Sequence, residues 1–212
     1  DDRLVVPGLL NGIESATILG DRRAGRELGI ERIDEATIGI DLSGLHPFEH
    51  ATVIRLELDG PPTVDESIRA DAGGVLRLDP GAATLAGPSI RVESYPGADG
   101  NPVSNIGYWL SPEASAAWSV RADDAARYRV QMDLACRDES AGGRLKVVLG
   151  QEELEFEVPA TGGWSSFRSV DLGEISAGGL QEAASVLEVR GVEIPGDALV
   201  NIRQVRLLPV SN

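Results

Sequence analysis

Arg127-Tyr128-Arg129-Val130-Gln131-Met132-Asp133-Leu134-Ala135-Cys136 is the stretch whose reading decides the fold. Tyr128, Val130, Met132, Leu134 and Cys136 alternate with Arg127, Arg129, Gln131 and Asp133. A period of two sends the apolar set to one face and the polar set to the other, which is the pattern of a half-buried strand. The same period recurs on both sides. Leu145, Val147 and Leu149 form one inward face, and Leu154, Phe156 and Val158 alternate with Glu153, Glu155 and Glu157. Leu187 and Val189 follow, then a run from Leu199 to Leu208 whose parity changes from Val200 and Ile202 to Val205 and Leu207. That change of phase predicts a bulge near Arg203-Gln204. Upstream, Ile38, Ile40 and Leu42 share a face, as do Ile54, Leu56 and Leu58. No stretch has an amphipathic helical period. Short strands separated by turn residues predict an all-β chain of sandwich or jelly-roll type.

Composition narrows the function. The chain has 212 residues and is 42% hydrophobic, enough to bury a core. Its 34 acidic residues outnumber 19 basic ones, for a net charge of -15. Phosphate-binding surfaces need clustered Lys and Arg, so no nucleic acid and no anionic membrane surface is expected as a partner. No apolar run approaches the length of a membrane span. The single cysteine, Cys136, cannot form an internal disulfide. The chain opens on Asp1-Asp2, with no initiator methionine or signal-like segment, and is expected to be a processed product or an excised piece of a longer protein.

The organisation reads as two β units. Residues 1–65 form a small one, and residues 84–212 a larger one. Between them, residues 66–83 are rich in Gly, Pro, Asp and Ala and are expected to be a linker, with a short strand at Val75-Leu76-Arg77-Leu78. The block Asp21-Arg22-Arg23-Ala24-Gly25-Arg26 reads as a solvated hairpin turn, and Asp123-Asp124 and Asp138-Glu139 read as solvated turns.

Aromatic residues make up only 4% of the chain, which gives weight to where they fall. Two of the three tryptophans and one tyrosine lie in Asn105-Ile106-Gly107-Tyr108-Trp109 and Thr161-Gly162-Gly163-Trp164. Each stretch sets glycine beside a flat ring at a strand edge. A rigid ring on a loop loses little entropy when a ligand engages it.

These motifs resemble those of family 6 and family 35 carbohydrate-binding modules. Asn105-Ile106-Gly107-Tyr108-Trp109, Ala117-Trp118-Ser119-Val120 and Ala126-Arg127-Tyr128-Arg129-Val130 are similar, in that order, to their first motifs. Thr161-Gly162-Gly163-Trp164-Ser165-Ser166-Phe167 resembles their T-G-G-W stretch, and Val200-Asn201-Ile202-Arg203-Gln204-Val205-Arg206-Leu207 their last strand. The resemblance covers about residues 84–209. It implies a galactose-binding-like jelly roll with one glycan site among the edge loops. Carried over, the platform aromatics are Tyr108 and Trp164, and Asn201 hydrogen-bonds the hydroxyls.

The bland reading stands beside it: Trp164 could cap the core. Tyr108 and Trp109 would face opposite ways in an extended strand, so Trp109 is assigned to packing. Trp118, in phase with Ala116 and Val120, is assigned to the core. Many such modules hold calcium through a glutamate in the first strand and an acidic residue in the last. This chain has Thr84-Leu85-Ala86 and Gln204 there, so no metal-binding residue and no cofactor is assigned, with a structural calcium kept as the lesser alternative.

The front part has its own resemblance. Leu4-Val5-Val6-Pro7-Gly8-Leu9-Leu10-Asn11, Ser15-Ala16-Thr17-Ile18-Leu19-Gly20 and Ala51-Thr52-Val53-Ile54-Arg55-Leu56-Glu57-Leu58-Asp59-Gly60 look like the β-sandwich behind the catalytic barrel of family 29 alpha-L-fucosidases. Together the resemblances imply a non-catalytic, glycan-binding accessory region of a bacterial glycoside hydrolase, secreted or periplasmic. Its partners would be a glycan and a catalytic domain preceding it. The barrel supplies that family's catalytic carboxylates, so no catalytic residue is assigned here. His46 and His50 flank Pro47, which argues against the helix that an i, i+4 metal pair would need. A docking sandwich without ligand is the alternative.

Overall fold

Inward-facing residues of the strands build two core clusters, one within residues 6–56 and one within residues 68–207. The computed structural model describes residues 2–19, 27–45, 50–97, 100–121, 127–177 and 184–210. The block at 21–26, His46 and Asp123-Asp124 lie outside the described residues. The chain divides into a unit of residues Asp1–Glu66 and a unit of residues Ser67–Asn212. Among the described residues there is no α-helix, only strands and two single 3-10 turns.

The first unit contains β1 (Arg3–Pro7), β2 (Ile13–Ile18), β3 (Ile30–Asp34), β4 (Thr37–Asp41) and β5 (Ile54–Leu58). Strands β1, β4 and β3 make one antiparallel sheet, and β2 pairs with β5. Ala16, Leu28 and Ile40 are buried at its centre, with Val6, Ile18, Ile54 and Leu56 packed around them. The alternation along β5 is as the sequence predicts: Ile54, Leu56 and Leu58 are half-buried, Arg55 and Glu57 exposed.

The second unit contains twelve described strands. They are β6 (Ile68–Arg69), β7 (Leu76–Leu78), β8 (Thr84–Ala86), β9 (Arg91–Pro96), β10 (Pro102–Gly107), β11 (Ser115–Arg121), β12 (Arg127–Ala135), β13 (Arg144–Leu149), β14 (Glu152–Glu157), β15 (Arg168–Ser176), β16 (Ser185–Glu193) and β17 (Asn201–Pro209). One sheet runs β15-β12-β17-β10-β9, with β7 also on β17; the other runs β14-β13-β16-β11-β6, with β8 on β11. Pairing is antiparallel except for the short β6 on β11. Tyr128, Val130, Met132 and Leu134 from the first sheet meet Leu145, Val147, Leu187 and Val189 from the second in one core. The two sheets, packed face to face over this core, make a β-sandwich.

The predicted bulge sits at Arg203: Asp133 pairs with Gln204 and Leu134 with Ile202, so Arg203 is the unmatched residue. The expected linker at 66–83 needs correction. Leu76 and Leu78 are fully buried, β7 pairs with β17 through Leu78↔Val205 and Leu76↔Leu207, and β6 pairs with β11. Gly and Pro there serve tight turns between short strands rather than a flexible tether. The Asp71 carboxylate, for instance, accepts from the backbone N–H of Gly73 and Val75. These bonds to the charged form hold its pKa below the usual carboxylate value.

Candidate functional site

The site grows from the end of β10. Asn105 faces Glu93 of β9 across the ladder, and its Nδ2 donates to Glu93 Oε2 at 3.2 Å. Asn105 is only 2% exposed, so this bond satisfies an amide that would otherwise be costly to bury. Two residues on, Gly107 is fixed by crowding. A Cβ there would lie 2.4 Å from Glu93 Oε2, 3.0 Å from Asn201 Oδ1 and 3.1 Å from Asn105 Nδ2. The missing side chain is what lets three polar groups close over one backbone position.

At Tyr108 the strand breaks. Its φ of +56° is a left-handed conformation that a residue with a Cβ seldom adopts. This kink, and not strand alternation, separates the neighbours: Tyr108 is 41% exposed, while Trp109 is fully buried. The Arg91 guanidinium lies 3.4 Å from the centre of the Tyr108 ring. A cation so placed covers one face of the ring and holds it in position.

The second wall comes from the Thr161–Trp164 turn. Thr161 is buried beneath it and fastened to the end of β12. Its backbone N–H donates to the Cys136 carbonyl at 3.0 Å, and its Oγ1 accepts from the Cys136 N–H at 2.9 Å. Gly162 then turns the chain at φ +92°. Trp164 emerges half-buried, packed against the main core on one side. Asn201, at the start of β17, donates from Nδ2 to the Trp164 carbonyl at 2.9 Å.

Tyr108, Trp164 and Asn201, the three residues that the sequence singled out, line one hollow of about 350 Å³. Glu93, Leu110, Asp197 and Ala198 complete its lining. These four were not anticipated. Glu93 had a legible signal, since it stands opposite the buried Asn105; Asp197 and Ala198 come from an irregular loop with none. The hollow offers a half-buried indole, a phenol on a fixed backbone, a side-chain amide and two carboxylates. Such a set can stack on the C–H face of a pyranose and hydrogen-bond its hydroxyl rim.

Trp118 is buried, with its indole N–H donating to the Asp79 carbonyl at 2.9 Å. Gln204 Nε2 donates to Asp79 Oδ1 at 2.8 Å, and Thr84 is exposed on β8. Among the described residues no group of three or more His, Cys, Asp or Glu is arranged to hold a metal ion. His50 is exposed. Arg137 and Glu139, in the turn expected at 138–139, pair at 3.4 Å.

Beneath the site lies Cys136. Its N–H reaches Thr161, and its Sγ donates to the Leu199 carbonyl at 3.5 Å. Burial first, and the Asp138 charge second, push its thiol pKa up to about 11.

No family model and no curated protein matches the chain. Solved structures do match in fold. A β-1,3-glucan binding family 6 module from Bacillus halodurans shares 18% identity over 66% of this chain and 98% of its own, with a TM-score of 0.50. The alpha-L-fucosidase from Vibrio sp. strain EJY3 shares 17% identity over 98% of this chain, TM-score 0.48. The mosquito-larvicidal Cry4Aa toxin from Bacillus thuringiensis shares 11% over 88%, TM-score 0.54. This chain spans 36% of the fucosidase and 30% of the toxin. The likeness is one of architecture at low identity, and it includes non-catalytic carbohydrate-binding modules. A fold shared by a glucan binder and a toxin does not name a ligand.

Proposed function

We propose that this chain is a non-catalytic accessory region of a fucosidase-like glycoside hydrolase, and that its second unit binds glycan in the hollow between Tyr108 and Trp164. The observation that carries this reading is the convergence of Tyr108, Trp164 and Asn201 on one cavity from three distant segments. Trp164 supplies the apolar surface, and the face of Tyr108 that Arg91 leaves uncovered supplies a second. Asn201 donates one N–H to Trp164; its other N–H and its Oδ1 have no partner of their own among the described residues. They suit vicinal hydroxyls, which offer donor and acceptor together. Binding of this kind would hold a catalytic domain near its substrate and raise the local concentration. The setting would be secreted or periplasmic.

A glycan array probed with the whole chain and with Trp164→Ala tests the site, with β-1,3-glucan among the probes. Retention by the parent chain and its loss in the variant is the expected result; equal retention would move the site elsewhere. The chain by itself is expected to show no turnover of an aryl fucoside. Activity that survives repurification would contradict the accessory role.

A further inference from the structure

A second hollow adjoins the first. It is lined by Arg137, Glu139, Ser140 and Gly196, together with Trp164 and Asp197, which also line the first. Its volume is about 180 Å³. Trp164 therefore stands at the junction and presents surface to both sides.

The second hollow has a fixed floor. Gly196 lies so close to the turn at Asp138–Ser140 that a Cβ on it would sit 2.5 Å from Ser140 Oγ and 3.0 Å from the Glu139 carbonyl. Ser140 is 3% exposed, and its N–H donates to the Arg137 carbonyl at 3.1 Å. The loop carrying Asp197 is thus pressed onto the turn carrying Arg137 and Glu139, and the walls are held together without a ligand. The rims differ in chemistry. The first hollow has an aromatic on each of two segments; the second has Trp164 alone, faced by a guanidinium and a carboxylate whose side chains are 51% and 74% exposed. One side suits stacking, and the other suits hydrogen bonds to hydroxyls.

We propose that the two hollows form one continuous site for a neutral oligosaccharide, with one sugar between Tyr108 and Trp164 and the next beyond Trp164 against Arg137 and Glu139. The inference rests on the reading of the first hollow as a glycan site. Glu93, Asp197 and Glu139 set three carboxylates along the path against two cations, Arg137 in the lining and Arg91 stacked on Tyr108. A uronate or sulfate ester would meet like charge there, which selects against anionic glycans.

The test is a chain-length ladder measured on the whole chain: immobilised neutral mono-, di-, tri- and hexasaccharides of glucose, xylose, mannose, galactose and fucose, beside uronate-containing oligosaccharides. Oligosaccharides of at least one neutral series are expected to bind about tenfold more tightly than their own monosaccharide, the gain of one or two added hydrogen bonds. The Arg137→Ala, Glu139→Ala double variant should bring the hexasaccharide back toward the monosaccharide affinity. Both changes fall on exposed side chains, and an unshifted melting midpoint confirms that the fold is kept. Equal affinity for monosaccharide and hexasaccharide, or a double variant that keeps the full gain, overturns the two-hollow site while leaving the first hollow as a glycan site. Preference for uronate-containing probes overturns the charge argument and the proposal with it. Failure of every probe to bind overturns the glycan reading itself.

Discussion

Asn201 Nδ2 donates a 2.9 Å hydrogen bond to the carbonyl of Trp164, tying the first residue of the last strand to a turn 37 positions earlier. The bond fixes the backbone of Trp164 from the side of the hollow, so the amide that lines the hollow also holds the turn carrying the indole. Asn201→Ala should therefore act twice. It should cost about 1 kcal/mol of stability, typical for one lost hydrogen bond that leaves an acceptor behind. It should also weaken glycan retention by about tenfold, since a loosened platform and a missing hydroxyl partner both raise the dissociation constant. Chemical denaturation and affinity electrophoresis, run on the same preparation, separate the two effects.

Tyr108 gives a sharper contrast, because its backbone is left-handed at φ +56°. A glycine adopts that conformation without the penalty that a Cβ brings, about 1–2 kcal/mol. Tyr108→Gly should therefore be more stable than Tyr108→Ala by about 1 kcal/mol, the reverse of their order in an ordinary strand. Both variants lose the ring and its stack with Arg91, so both should lose glycan retention. Denaturation midpoints that rank alanine above glycine would show that position 108 is unstrained.

Much of this was legible in the sequence, and what was not has physical causes. Alternation at Tyr128–Cys136 and the phase change near Arg203 are direct consequences of one buried face, so strand and bulge could both be read off. The convergence of Tyr108, Trp164 and Asn201 followed from resemblance, not from spacing; residues 108 and 201 meet only because β10 and β17 are neighbours through Ile106↔Ile202. The linker expectation at 66–83 failed because turn residues look alike whether they join domains or join two-residue and three-residue strands. Leu76 and Leu78, both fully buried, were the signal that outweighed the glycines around them. The split between Tyr108 and Trp109 was anticipated, yet for the wrong reason. A kinked backbone produces it where a straight strand was assumed.

Cys136 ties chemistry to pH. Its thiol is pushed up to about 11 from 9.0, chiefly by burial. The unfolded chain therefore releases this proton first as pH rises. The contribution is whole below pH 9, and stability falls between pH 9 and 11 with a slope approaching about 1.4 kcal/mol per pH unit from this group. Below pH 9 the folded thiol should also resist a maleimide reagent that labels it readily in denaturant. Cys136→Ala removes the slope and is the control for other groups that titrate there. A thiol that labels at the same rate in native and denatured protein would contradict its burial.

Trp164 and Trp118 set the last comparison. Trp118 is buried, and its indole N–H closes on the Asp79 carbonyl, so truncation opens a cavity and orphans an acceptor. Trp118→Ala should cost about 3–5 kcal/mol, the range for removing a buried tryptophan. An exposed platform would cost almost nothing, within roughly ±0.5 kcal/mol. Trp164 fits neither limit: it is half-buried, packed on the core cluster, and part of the wall of both hollows. Its main-chain tie to Asn201 survives truncation, because the bond uses the carbonyl and not the ring. Trp164→Ala should then cost an intermediate amount, about 1–3 kcal/mol for partial loss of apolar contact. The protein should remain folded at 25 °C with glycan retention abolished. Two denaturation curves and one binding assay decide the matter. A cost at Trp164 equal to that at Trp118, with retention intact, would make the ring a core cap and take the glycan site away from this hollow. A cost near zero would make it a pure platform, detached from the core it is seen to touch.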